Sequence, residues 1–222
     1  MKKHSLKARD ETGRGPLQEG RLPETPSPRI GVLAIQGDYA AHAAALAQCG
    51  ATPSTVKTPG DLYPGGEPLD GLIMPGGEST TMLKFLDRHA LFETLQEFCR
   101  QRPVFGTCAG AILLAREVRH PAQRSLGILD AVVERNAYGR QIDSAILTAE
   151  TALPGGPLEM VFISAPRIAE VGPRVQALAW RDGYPALVRE GDILAATFHP
   201  ELSADRRVHR LFVEIASSRL PK

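Results

Sequence analysis

A cysteine stands between two glycines where one apolar run ends and another begins. Gly106, Cys108 and Gly110 follow a run that starts at Pro103, and small apolar residues continue from them to Ala115. This Gly-x-nucleophile-x-Gly spacing predicts a tight strand-to-helix turn that presents the central side chain at the end of a sheet. A thiol at a helix N-terminus is favoured as the thiolate, the form that attacks a carbonyl carbon. The spacing alone also fits a buried structural cysteine.

A cysteine nucleophile needs a base that takes its proton and returns it to the leaving group. His199 is the leading candidate, because it follows a predicted strand and precedes Glu201, whose carboxylate can orient the imidazole. A structural histidine is the alternative. We do not expect His42 or His89 to be the base, because they lie on helices or breaks without an orienting carboxylate. We do not expect it of His209 either, which is predicted on the exposed side of the last helix.

A third feature is the Pro-Gly-Gly-Glu-Ser segment at 75–79, directly after a predicted strand. Its glycines expose backbone N–H groups at a strand end, where such groups can bind a carboxylate or stabilise an oxyanion. An ordinary turn with Ser79 as the cap of the next helix explains the segment equally well.

The elements that must position these residues alternate along the chain. Apolar periodicity and turn residues predict the following strands (S) and helices (H): S30–35, H39–49 capped by Asp38, S53–57, S69–74, H80–86, H91–100, the strand and helix around Cys108, S129–135, S144–150, S160–164, S175–180, S186–189, S193–197 and H205–217. The order predicts an α/β fold of three layers, a mainly parallel sheet with helices on both faces and an antiparallel extension. Ligands bind at the carboxyl ends of such strands, so the three features should meet at one edge.

Composition excludes several classes of function. The hydrophobic share is 43%, the charged share 23% and the net charge +1, with no basic cluster that indicates a nucleic-acid partner. No apolar run approaches the roughly 20 residues that span a bilayer. No His and Cys cluster has the spacing of a metal site. Three cysteines without a CxxC pair favour a reducing cytoplasm.

Residues 1–29, rich in charge and proline, are predicted to be a disordered extension before a domain at 30–222.

Five stretches together resemble class I glutamine amidotransferases and, more narrowly, the glutaminase subunits of pyridoxal 5'-phosphate synthase. They are Gly-Val-Leu-Ala-Ile-Gln-Gly-Asp at 31–38, Pro-Gly-Gly-Glu-Ser-Thr-Thr-Met at 75–82, Phe-Gly-Thr-Cys-Ala-Gly at 105–110, Glu-Arg-Asn-Ala-Tyr-Gly-Arg-Gln-Ile-Asp-Ser at 134–144 and Phe-His-Pro-Glu-Leu at 198–202. The Cys108 turn and the His-Pro-Glu segment mark the superfamily, and the second and fourth stretches single out the subunit. The resemblance covers the chain from about residue 30.

The resemblance implies a role for each of these residues. Cys108 attacks the side-chain amide of glutamine, His199 shuttles protons and Glu201 orients His199. The residues implied for the oxyanion hole, through their backbone N–H groups, are Gly77 and Ala109. The residues implied for glutamine binding are Gly77, Glu78, Ser79, Arg135, Ile163 and Ser164. Ser164 departs from the family, whose Phe-Ile-Arg-Ala-Pro segment reads Phe-Ile-Ser-Ala-Pro here, so only a backbone contact carries over at this position.

The resemblance also implies a partner. Ammonia would pass to a separate (β/α)8-barrel synthase subunit that builds pyridoxal 5'-phosphate, and no cofactor is implied for this chain, which lacks a P-loop. Three alternative functions make different predictions for these stretches. A glutaminase of another pathway, such as imidazole glycerol phosphate synthase, should lack the stretch from Arg135 to Ser144. A non-catalytic binding protein should have lost Cys108, His199 or Glu201. A cysteine peptidase would not need the glutamine-binding loop.

Overall fold

A computed structural model of the chain describes residues 27–137 and 144–220. The predicted N-terminal extension, apart from its last three residues, lies outside the described residues. So does part of the fourth family stretch, residues 138–143. Within the described ranges, no helix is long and apolar enough to cross a membrane.

The described residues form twelve strands and five α-helices. The strands are β1 (Arg29–Leu33), β2 (Thr52–Val56), β3 (Gly71–Met74), β4 (Val104–Thr107), β5 (Ala115–Arg119), β6 (Leu129–Glu134), β7 (Ser144–Ala149), β8 (Leu158–Ile163), β9 (Arg167–Val171), β10 (Gln176–Arg181), β11 (Tyr184–Glu190) and β12 (Ile193–Ala196). The helices are α1 (Tyr39–Gln48), α2 (Ser79–Arg88), α3 (Phe92–Gln101), α4 (Ala109–Leu114) and α5 (Arg207–Ser217). Short 3₁₀ turns at 59–62, 64–66 and 200–202 complete the chain.

Seven strands form the main sheet in the order β10-β11-β12-β4-β3-β1-β2. The five strands from β12 to β2 are parallel, and β10, β11 and β12 form an antiparallel meander at one side. The predicted α/β architecture and its antiparallel extension are thereby confirmed. In the register of the sheet, Met74 lies opposite Gly106 and Thr107 lies opposite Ala196. The loops that follow β3, β4 and β12 therefore leave the sheet side by side.

The sheet is covered on both faces, because alternate residues of its strands enter two separate cores. Leu72 and Met74 pack into a core shared with α2, α3 and α4, whereas Ile73 packs on the other face with α1 and α5. Strand β3 and strand β4 are buried along their whole length, as expected for parallel strands between two layers of helices. Two small sheets, β5-β6-β9 and β7-β8, extend the two cores.

Side chains cap two of the five described helices, α1 and α2. Asp38 caps α1 as predicted, since its carboxylate accepts a hydrogen bond of 3.0 Å from the Ala41 N–H. The alternative explanation of the 75–79 segment, in which Ser79 caps α2, is wrong. Glu78 is the cap, and it accepts from the N–H groups of Thr80 and Thr81 at 3.1 and 2.7 Å.

Three further differences concern the middle of the chain. The helix after Cys108 ends at Leu114 and is followed directly by strand β5, which was not predicted. Strand β9 was not predicted. Strands β6 and β7, predicted on either side of a turn, are both present but belong to different sheets, because β6 pairs with β5 and β9 while β7 pairs with β8. Local sequence patterns identify strands better than they identify the partners of those strands.

Gly110 explains how α4 sits so close to the sheet. A Cβ atom at this position would lie 2.0 Å from the carbonyl oxygen of Met74 in the neighbouring strand. Only glycine lets the two backbones approach in this way. The second glycine of the Gly-x-Cys-x-Gly segment is therefore a packing requirement that fixes where Cys108 points.

Candidate active site

Cys108 occupies the single residue between β4 and α4 in a strained conformation. Its φ is 48° and its ψ is −106°, a combination that costs on the order of 1–3 kcal/mol in a residue with a side chain. The backbone is held there by a 2.8 Å hydrogen bond from the Cys108 N–H to the Ala196 carbonyl of β12. The thiol is nearly buried, and its sulfur lies 3.9 Å from the Ile163 carbonyl oxygen. The turn thus has the geometry of a nucleophile elbow.

His199 lies directly beyond the end of β12, next to the Cys108 turn. Its backbone N–H donates to the Val161 carbonyl of β8 at 2.7 Å. Its Nδ1 donates to Glu201 Oε1 at 2.8 Å, and the Glu201 side chain is fully buried in the 3₁₀ turn that follows. The sequence prediction that Glu201 is placed to orient His199 describes the arrangement found here.

Gly76 brings the thiol and the imidazole together. A Cβ atom on Gly76 would lie 2.4 Å from His199 Cε1 and 3.3 Å from Cys108 Cβ. The loop after β3 therefore passes against both side chains, at the sheet edge where the three sequence features were expected to meet.

The electrostatics of the pair favour a charged imidazole. Burial disfavours the imidazolium, but hydrogen bonds and charge interactions with Cys108 and Glu201 outweigh it and raise the pKa of His199 to about 10. An imidazolium at neutral pH stabilises a neighbouring thiolate and holds a proton ready for a leaving group.

Two adjoining pockets have Cys108, Gly77 and Ser164 in their common lining. The larger, about 420 Å³, is lined mainly by the loops after β1, β3, β8 and β12, with Asp38, Ile163, His199 and Leu202 among its residues. The smaller, about 160 Å³, is lined by these residues: Gly77, Glu78, Ser79, Cys108, Ile112, Arg135, Asn136 and Ser164.

The small pocket contains five of the six residues that the resemblance implies for glutamine. Gly77, Glu78, Ser79, Arg135 and Ser164 all line it. The sixth residue, Ile163, lines the larger pocket instead and points its carbonyl toward the Cys108 sulfur. Ala109, implied for the oxyanion hole, is the first residue of α4 and is fully buried.

The polar wall of the small pocket is held rigid by mutual hydrogen bonds. Arg135 Nη2 donates to Glu78 Oε1 at 3.0 Å and to Thr80 Oγ1 at 2.9 Å. The Glu78 N–H donates to Gln36 Oε1 at 2.9 Å, and Ser79 Oγ donates to Gln123 Oε1 at 2.9 Å. Although partial burial opposes ionisation, the hydrogen bonds from Thr80 and Thr81 lower the pKa of Glu78 to about 2. The pocket therefore presents one fixed negative and one fixed positive charge.

Two histidines that were not expected near the site lie beside the buried Glu201 side chain, His42 in contact with it and His209 in contact with His42. His42 and His209 are both fully buried, and His42 Nδ1 lies 3.0 Å from His209 Nε2. His42 Nε2 lies 3.3 Å from Glu201 Oε2 and 3.2 Å from Thr107 Oγ1. The predictions that His42 lacks a carboxylate partner and that His209 faces solvent are both wrong. No local signal marked His42, because α1 is rich in alanine on every side; only the structure shows that His42 shares the buried face of this helix with Ala45 and Leu46.

Burial of these histidines predicts a loss of stability in acid. Burial and the charge of Arg206 lower the pKa of His209 to about 4, and burial with the fields of His209 and His199 lowers that of His42. Below pH 6.5, His42 and His209 therefore bind protons in the unfolded chain but remain neutral in the folded chain. The stability contributed by neutral His42 and His209 is complete above pH 6.5 and falls as the pH approaches 4.

Urea unfolding at pH 7 and pH 4.5 measures this effect. We expect His209 alone to account for about 2–3 kcal/mol of the stability lost between the two values. His209→Gln should reduce the loss of stability between pH 7 and pH 4.5 by this amount, whereas the matched surface variant His89→Gln should leave the loss unchanged. An equal pH dependence in all three proteins would contradict the assignment.

Among the described residues, no three His, Cys, Asp or Glu side chains are grouped so as to hold a metal ion. The groups that the geometry brings together are the Cys108 thiol, the His199 imidazole and the Glu201 carboxylate.

Comparisons with known proteins agree with this geometry. The sequence matches the SNO glutamine amidotransferase family over residues 32–218. It is 57% identical over 187 residues to the pyridoxal 5'-phosphate synthase subunit PdxT of Koribacter versatilis, covering 84% of this chain and 95% of that protein. The PdxT subunit of Solibacter usitatus is 51% identical over 191 residues, covering 83% and 97%. A crystal structure of a glutamine amidotransferase has a TM-score of 0.76 at 43% identity, covering 84% of this chain and 98% of that one.

Proposed function

The chain belongs to the SNO glutamine amidotransferase family, and we propose that it is the glutaminase subunit of a pyridoxal 5'-phosphate synthase, with Cys108 as its nucleophile. The observation that carries the assignment is the position of Cys108 between a small charged pocket and the buried pair of His199 and Glu201. The experiment that tests it is release of ammonia from glutamine by the purified chain in the presence of a synthase subunit.

The reaction follows from the positions of the groups. The Cys108 thiolate attacks the side-chain carbonyl carbon of glutamine, and the backbone N–H groups of Gly77 and Ala109 stabilise the oxyanion. The His199 imidazolium gives its proton to the leaving nitrogen, so that ammonia departs and a γ-glutamyl thioester remains. His199 then takes a proton from water, whose oxygen attacks the thioester. Glutamate leaves, and the thiolate and imidazolium are restored. Glu201 stabilises the imidazolium through Nδ1.

The small pocket suits the amino acid end of glutamine. Glutamine carries an α-ammonium and an α-carboxylate, and the pocket holds the carboxylate of Glu78 and the guanidinium of Arg135 in fixed positions. We assign the two charges to these two groups. Ser164 lines the pocket with a φ of 42°, and we assign its contact with glutamine to the backbone, which does not depend on the shortened side chain.

Arg135→Lys is expected to weaken glutamine binding with little effect on chemistry. Lysine keeps the charge but cannot bind Glu78, Thr80 and a carboxylate through one planar fork. We expect the KM for glutamine to rise about tenfold while kcat changes less than about threefold. Steady-state kinetics measure both values. Arg124→Lys, at an exposed pair with Asp87 and Glu93, is the matched control. A fall in kcat at constant KM would contradict the role.

We further propose that the synthase partner is a (β/α)8-barrel subunit that receives ammonia. The larger pocket supports this, because it reaches Cys108 and His199 and is rimmed by the exposed apolar side chains of Ile163 and Leu202. We also place the chain in the cytoplasm, as its three cysteines, Cys49, Cys99 and Cys108, are all free.

Docking of the barrel subunit is expected to switch the glutaminase on. A free subunit that hydrolysed glutamine would lose ammonia to solvent, so activity should be low until the partner binds. We expect the barrel subunit to raise the glutaminase kcat at least about tenfold, within the range of typical coupling energies. Ammonia release with and without that subunit, and with an unrelated barrel protein as control, measures the effect. Equal turnover in all three samples would refute it.

A further inference from the structure

A carboxylate that is wholly buried needs more than one polar partner. Glu201 has no side-chain exposure, and only Oε1 is used by the His199 imidazole. Among the described residues, Oε2 accepts no hydrogen bond of standard geometry. A buried, unpaired carboxylate oxygen is costly and tends to rotate or take a proton. Something must hold Oε2 in place if Oε1 is to stay aligned with His199.

His42 is the group placed to do this. Its Nε2 lies 3.3 Å from Glu201 Oε2, a close polar contact that is not aligned as a standard hydrogen bond, and 3.2 Å from Thr107 Oγ1, with which it is hydrogen-bonded. The side chain comes from α1, an element that supplies no member of the triad. Its ring is completely buried against Phe105 and His209.

The direction of the hydrogen bonds can be derived from the atoms at each end. An ionised carboxylate only accepts, so His42 Nε2 must carry the proton, and in a neutral ring Nδ1 is then a bare acceptor. His209 Nε2, 3.0 Å from that Nδ1, must therefore donate. His209 Nδ1 then carries no proton, and it has no hydrogen-bond partner among the described residues. This arrangement of protons is compatible with the three contacts of His42, to Glu201, Thr107 and His209.

We propose that His42 is a positioning residue for the glutaminase reaction, holding Glu201 through Oε2 so that Oε1 stays aligned on His199, with His209 fixing the tautomer of His42. The inference rests on the proposed triad of Cys108, His199 and Glu201. The His42 proton stays on Nε2 throughout the reaction, and no bond to it forms or breaks.

A purely structural role is the competing explanation. Two buried histidines that satisfy each other cost more than a pair of well-packed apolar side chains of similar size. A merely structural pair would also be indifferent to which of its nitrogens faced Glu201. The two explanations therefore separate on whether the Nε2 proton matters to turnover.

Two substitutions of His42 separate these roles. The amide of His42→Gln reaches the position of Nε2 and can donate to Glu201, whereas the shorter His42→Asn reaches only the position of Nδ1 and keeps the contact with His209. In complex with the barrel synthase subunit, we expect His42→Asn to lower the glutaminase kcat about tenfold at unchanged KM for glutamine. His42→Gln should restore at least half of the wild-type kcat. His89→Asn, at an exposed histidine, is the matched control.

The outcomes are distinct. Wild-type kcat in His42→Asn, or an equal loss in both His42 variants, would overturn the inference. A loss that appears in KM rather than kcat would overturn it as well. A wild-type complex that releases no ammonia from glutamine would overturn the proposed function itself, which is a different result.

A spectroscopic measurement on the wild-type chain covers the case in which a variant does not fold. In the full-length protein labelled with ¹⁵N-histidine, we expect the His42 ring at pH 7 to be neutral with its proton on Nε2. The His42 signals can be identified in the wild-type chain by the ¹⁵N–¹⁵N coupling between His42 Nδ1 and His209 Nε2 across their hydrogen bond. A proton on Nδ1, or a charged ring, would overturn the inference.

Discussion

Replacement of Cys108 by alanine is expected to abolish ammonia release from glutamine in the complex, with kcat falling by at least about 10⁴-fold. The loss follows from the mechanism, because no thioester can form without the sulfur and water alone must attack a stable amide. Glutamine binding should survive, since the charged wall of the small pocket is formed by Glu78 and Arg135. Activity assays and calorimetric titration of glutamine would measure the two effects separately.

The chain offers a matched control for this substitution. Cys49 is also free, but it lies at the end of α1 with its sulfur 3.9 Å from the Arg206 carbonyl, away from both pockets. Cys49→Ser keeps a hydrogen-bond donor there and should leave kcat within about twofold. An electrophilic glutamine analogue should label the wild-type chain at Cys108 only. Persistent glutaminase activity in Cys108→Ala would refute the assigned nucleophile.

The Cys108 turn and the His199 loop could be predicted because each is encoded within a few residues. Glycine spacing around Cys108 specifies a sharp bend, and the two-residue step from His199 to Glu201 places both on one turn. The order of strands along the chain then puts both at one sheet edge. The cap of α2 could not be predicted in this way, because Glu78 and Ser79 are adjacent. Only the structure shows that the longer Glu78 side chain reaches two N–H groups.

The histidines behind Glu201 could not be predicted by the same reasoning. Helix α1 is so rich in alanine that no face of it is more apolar than another, and the burial of His42 is decided by the packing of α5 against it. Helix α5 has a clear apolar face, but its buried surface is wider than that face and includes His209 and Val213. Contacts between α1, α5 and the 3₁₀ turn at 200–202 depend on tertiary structure, which a local pattern does not record.

Gly76→Ala is the substitution that should damage the site most without removing a reacting group. The backbone at Gly76 is not in the left-handed region, so alanine adds no conformational strain and the effect is steric. Its Cβ would lie 2.4 Å from His199 Cε1 and 3.2 Å from His199 Nδ1. The ring must move by about 1 Å or more to restore normal contact, and a displacement of that size costs on the order of 100-fold in rate. We therefore expect kcat to fall about 100-fold.

The control for Gly76→Ala is Gly60→Ala, in the 3₁₀ turn at 59–62. A Cβ there would have Thr58 Oγ1 at 3.9 Å as its nearest neighbour, so kcat should stay within about twofold of the wild-type value. Thermal unfolding should show both variants folded, because the flexible element at Gly76 is the imidazole and not the sheet. If Gly76→Ala kept full activity, His199 would have to work from a position displaced from Cys108. The pairing of thiol and imidazole that the mechanism requires would then be wrong, even with the nucleophile correctly assigned.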